Sequence, residues 1–140
     1  MSRDHQKSKV YAAGDVVRDQ ARQFNSLAEI QKYVDEVTGH EEWTGTKSIQ
    51  VKMARRDSWK SYCTCKGHGG IAISPAAGAN DFIVLHELAH AMCWTEESHG
   101  AEFCEAWLTL VRRHRGVHGE LILRRAFEKH GVVYSKDPVG

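Results

Sequence analysis

The five residues HELAH, from His86 to His90, constrain this chain more than any other part of it. Positions four apart on an α-helix differ by about 40° around the axis and by about 6 Å along it, so the imidazoles of His86 and His90 can turn toward one ion. Glu87, offset from His86 by about 100°, reaches a water on that ion without taking a ligand position. That geometry is why His-Glu-x-x-His spacing points to metal-dependent hydrolysis. A random ordering of this composition gives about 0.04 such matches. The neighbours, Phe82, Ile83, Val84, Leu85, Leu88, Ala89 and Met92, make this the most apolar helix in the chain. Burying two imidazoles and a carboxyl among them without a partner costs several kcal/mol, most of which a cation removes. The competing reading is of ordinary histidines, satisfied in a core or facing solvent.

A catalytic zinc takes three protein ligands and keeps a fourth position open, so one further donor is needed. His99 follows after the loop Ala91 to Ser98, long enough to turn the chain back, with Gly100 next to it. Glu96, Glu97 and Glu102 are its rivals. Three neutral imidazoles leave a zinc ion its full charge and draw the pKa of its water toward 7. Glu87 is then the expected general base, taking a proton from the water and passing it to the leaving group, as amide hydrolysis requires. A second electrophile is also needed; Tyr62, Tyr134, His114, His118 and His130 are unranked candidates.

Around this motif the pattern reads as a single domain over 10–140, preceded by a flexible polar tail over 1–9. Val10, Ala13, Val16, Val17 and Ala21 predict a helix over 10–24, and Leu27, Ile30, Tyr33, Val34 and Val37 a second one that Asn25 or Ser26 caps and Gly39 ends. SIQVKMA alternates as a half-buried strand, and WKSYCTC and GIAIS flank KGHGG as an antiparallel hairpin closed by Pro75. Asn80 or Asp81 caps the histidine helix, which runs to about Trp94. A helix over 101–115 stops at Gly116, and a last one, over 119–130, buries Leu121, Ile122 and Phe127 or Ala126 before GVVYSKDPVG, a final extended piece or tail.

The segments VLHELAHAM and HGAEF resemble the His-Glu-x-x-His, loop, His-Gly-x-x-Phe arrangement of SprT-like zincin metallopeptidases. They are more closely similar to a group of small metallohydrolases from actinobacteria and their phages. That similarity extends, with much less specific motifs, over VYAAGDVVRDQ, LAEIQKYVDEV, the strand pair and LRRAFEKHGV. The resemblance implies an α+β, zincin-like fold, a small antiparallel β-sheet packed against helices that include the metal helix. It implies His86, His90 and His99 as ligands of Zn2+, Glu87 as the base, and a peptide or protein substrate laid along GIAIS as the edge strand. SprT-like proteases often add a zinc ribbon for work on DNA-bound proteins; the C-terminal part of this chain has no Cys-x-x-Cys pair, so that link is not carried over.

The remaining features weigh less. Arg112, Arg113, Arg115, Arg124, Arg125 and Lys129 allow a nucleic-acid contact, but Glu105, Glu120 and Glu128 are interspersed and the net charge is only +1. Cys63, Cys65 and His68 outline a weak second metal site against the simpler reading of two thiols on one strand face. Cys93 and Cys104 read as packing residues. The polar start MSRDHQKSK is no secretory signal and no apolar run approaches the roughly 18 residues of a membrane span, so a cytoplasmic protein with reduced cysteines and no membrane partner is expected. The alternative to a hydrolase is a non-catalytic module braced by zinc, with a regulatory or nucleic-acid-associated binding role.

Overall fold

The computed structural model describes residues 6–45, 49–53, 62–63, 70–73, 80–92 and 99–134. Its elements are α1 (Lys7–Val17), a 3-10 turn (Arg18–Gln20), α2 (Leu27–Thr38), β1 (Gln50–Met53), β2 (Tyr62–Cys63), β3 (Gly70–Ile73), α3 (Asp81–Met92) and α4 (Ala101–Lys129). Helix dominates. The chain divides into two compact units, Met1–Gln20 with Cys93–Gly140, and Ala21–Met92. Among the described residues no helix is long and apolar enough to cross a membrane.

In the first unit α1 packs on α4. Val10, Ala13 and Val17 are wholly buried, as helical spacing requires. The helix starts at Lys7 rather than Val10 because Gln6 is itself buried and anchored, so part of the expected tail is structured; residues 1–5 lie outside the described residues. It ends at Val17 rather than near Phe24 because Arg18, Asp19 and Gln20 are exposed and bring no apolar side chain to a further turn. Helix α4 breaks at Gly116, whose φ of 83° and ψ of −179° leave helical space and suit a residue without Cβ. Past the break, Leu123, Ala126 and Phe127 are buried, whereas Leu121 is 42% exposed. Ala126 and Phe127 are buried as expected, and Leu123 takes the place expected of Leu121. After α4, Val132 and Tyr134 are buried, with the Tyr134 ring 5.2 Å from that of Phe127, while residues 135–140 lie outside the described residues.

In the second unit α2 starts as its sequence indicates. Ser26 Oγ accepts from the Glu29 amide at 3.1 Å, and Glu29 Oε1 accepts from the Asn25 amide at 2.9 Å, so two of the amide donors at the helix start find oxygen. Ile30, Tyr33, Val34 and Val37 are buried. In β1 the alternation holds, with Val51 buried and Gln50 and Lys52 exposed. The sheet order is β1-β3-β2, with β2 antiparallel to β3 but β1 parallel to it. The sheet is thus mixed, and the antiparallel expectation holds for the hairpin strands alone. GIAIS, expected as an edge, supplies the central strand. The outer edge of β1 is occupied by the Gln31 amide, which donates to Ile49 O and accepts from Val51 N, each at 2.8 Å, in the manner of a neighbouring strand. Helix α3 packs on β2, β3 and α2.

Candidate metal centre

Helix α3 is held at its start by three polar contacts. Asn80 Oδ1 accepts from the Ile83 amide at 3.0 Å, capping the helix. Asp81 donates its amide to Arg22 O at 3.0 Å and accepts the Arg22 amide on Oδ1 at 2.9 Å. Both residues are 1% exposed, and Asn80 also bridges to Gln23. The Arg22 guanidinium in turn lies over the rings of Phe24 and Tyr33, at 5.0 and 5.8 Å. At its other end Gly45 approaches closely. A Cβ there would sit 2.9 Å from Ala91 O and 2.6 Å from the Trp43 ring.

Between these fixed ends α3 is buried nearly all round, His86 and Glu87 along with Phe82, Val84, Leu85, Leu88, Ala89 and Ala91. The His86 and His90 rings face each other edge to face with centroids 5.1 Å apart, as the four-residue spacing predicts. His86 is buried and His90 half-buried. Glu87 is 3% exposed, and its Oε2 stands 3.9 Å from His86 Nε2, beyond hydrogen-bond range. Burial alone pushes the Glu87 carboxyl up from 4.5 to about 8, because ionising it in apolar surroundings forfeits solvation.

His99 stands just before α4, beside the N-cap Gly100, and is buried. Its ring lies 5.3 Å from that of Tyr11 and 5.1 Å, edge to face, from that of Phe103. The stack continues through Trp107 and Phe127, with centroids 6.0 and 5.7 Å apart in succession. His99 is therefore placed by tertiary packing of its own unit, where His86 and His90 are placed by one helix.

The potential ligand nitrogens of His86, His90 and His99 all lie within 4.8 Å of one another, close enough to hold a metal ion. The donor chemistry fits a borderline divalent ion, since three imidazoles are neutral nitrogen ligands. Of the rivals to His99, Glu102 is exposed on the first turn of α4 and outside this group, while Glu96 and Glu97 lie outside the described residues. The second site suggested by Cys65 and His68, the thiol of Cys93 and the side chains of Cys63 and Tyr62 also fall outside them. Cys104 is buried, as a packing residue should be. Tyr134 donates its hydroxyl to Glu128 at 3.1 Å, and burial pushes the phenol up; His118 is exposed. Two of the basic residues are engaged within their own unit: Arg124 donates from Nε and Nη2 to a single Glu120 oxygen, Oε2, at 3.3 and 2.9 Å, and Arg115 donates to Gln20 O at 2.8 Å. Two residues of the His99 surroundings, Gln6 and Tyr11, carried no signal in the sequence, because their roles depend on partners about ninety positions away.

No family model, curated protein or solved structure matches this chain.

Proposed function

We propose that the protein is a zinc-dependent hydrolase, a peptidase of zincin-like type, whose metal is held by His86, His90 and His99. The observation that carries this reading is the trio of imidazoles beside a buried carboxyl. A bound dication would supply Lewis acidity and a more acidic water. The protein's own part falls to Glu87. Its carboxyl is protonated at neutral pH in the metal-free pocket, and a neighbouring positive charge is what would ionise it. As a carboxylate it accepts a proton from the attacking water at one oxygen. It then returns that proton to the amide nitrogen as the C–N bond breaks and the water oxygen stays on the acyl carbon, leaving a carboxylic acid and an amine. The apolar wall of α3 keeps bulk water away from that transfer.

The test is digestion of an unstructured protein such as casein, and of a peptide library, by the zinc-loaded chain. Metal-dependent fragments should appear with the wild type. Glu87→Gln should keep its zinc and lose turnover by a factor of about 10²–10⁴. Equal cleavage by the two proteins would remove Glu87 from the chemistry; zinc binding without cleavage of any peptide would leave a metal-braced module.

A further inference from the structure

Gln6 occupies the N-cap position of α1, where a side chain ordinarily turns inward to satisfy the first helix amides. Its own side chain makes no such cap. Instead Nε2 donates to His99 O at 2.9 Å and to Val133 O at 2.9 Å, and Oε1 accepts from the Val133 amide at 2.7 Å. Both amide hydrogens and the oxygen are thereby used, and the Cys104 thiol lies 3.7 Å from Nε2. The amide orientation follows from its partners, because a reversed amide would face N–H with N–H and carbonyl with oxygen. Gln6 is 6% exposed, so water cannot replace these bonds.

We propose that Gln6 is a positioning residue for the metal centre: it fixes the His99 backbone so that the imidazole, set between Tyr11 and Phe103, is presented to the ion. The role rests on the metal-centre reading above. The anchor matters at this residue because His99 lies outside regular structure, before the first turn of α4, and its carbonyl is held by side chains, Gln6 Nε2 at 2.9 Å and Cys104 Sγ at 3.9 Å. Outer partners of this kind set how well a ligand meets a metal without touching it.

The experiment compares Co(II) and Zn(II) binding by the full-length wild type, Gln6→Met, His99→Ala and the double variant, with melting of each metal-free protein. Gln6→Met keeps length and loses the three bonds. It should bind Co(II) several-fold more weakly at temperatures well below its melting point, up to the roughly tenfold loss of His99→Ala, with a visible spectrum displaced toward that of His99→Ala. Added to His99→Ala it should cost no further affinity, since both changes remove the same ligand. A core variant such as Leu123→Ala, buried in α4 but outside the aromatic stack that reaches His99, should lower the melting temperature without altering Co(II) affinity or spectrum. Should Gln6→Met not fold, Gln6→Asn keeps the amide on a stem one methylene shorter and should shift affinity and spectrum in the same direction. Wild-type affinity and spectrum in the folded Gln6 variants, or full additivity with His99→Ala, would overturn the positioning role while leaving the metal centre intact. No binding by the wild type would overturn the centre itself, and this role with it.

Discussion

The histidines of the candidate centre come from two different kinds of place. His86 and His90 belong to one helix turn, so their relation is set by backbone geometry and is present as soon as α3 forms. His99 has no such guarantee. Its position depends on Gln6, Tyr11 and Phe103, drawn from α1 and α4. A local pair is stable against changes elsewhere in the chain; a residue held by distant partners is open to adjustment by them. This comparison orders the expected effects of mutation.

The largest effect should come from the local pair. His86→Ala or His90→Ala removes half of a preformed chelate, and zinc affinity should fall by on the order of 100-fold or more, read by competition with a chelating dye. His99→Ala leaves the pair whole, so its loss should be about tenfold smaller than that of His86→Ala. Equal losses would mean that the helix pair is no better organised than the third ligand.

A next, intermediate effect concerns pH. Glu87 has a folded-state value of about 8 against 4.5 for the free group, so the folded metal-free protein binds more protons than the unfolded chain between these values. The stability contributed by the neutral buried carboxyl is full below pH 4.5 and is lost as pH rises toward 8. Denaturant unfolding of metal-free wild type and Glu87→Gln should therefore diverge over that window by a few kcal/mol, with the glutamine variant the more stable at pH 8. A difference independent of pH would show that Glu87 is solvated or paired in the folded state.

The smallest effect is far from the metal. Ser26→Ala removes the α2 cap and should cost about 1 kcal/mol in denaturant unfolding, with zinc affinity unchanged. A change in affinity would show that α2 contributes to holding the site.

Much of the second unit was legible in the sequence because its signals are local. The α2 caps, the alternation in β1 and the spacing of His86 and His90 each involve residues within a few positions of one another. What the sequence did not reveal depends on distant partners. Strand alternation identifies a strand without saying which neighbour it takes, so the parallel pairing of β1 with β3 and the central place of β3 went unread. The start of α1 at Lys7 and the burial of Val132 both depend on long-range contacts of polar or terminal segments. In α4 the apolar residues after Gly116 permit two faces. Ala126 and Phe127 are buried as the spacing indicates, but packing selected Leu123 over Leu121, a choice periodicity alone cannot make over so short a stretch.

The most direct test is zinc-edge X-ray absorption on protein loaded with one equivalent of zinc. Three imidazole nitrogens at about 2.0–2.1 Å with one additional light-atom ligand are expected, and His99→Ala should leave two imidazoles. A wild-type spectrum with sulfur at about 2.3 Å, or without imidazole scattering, would contradict the three-histidine centre.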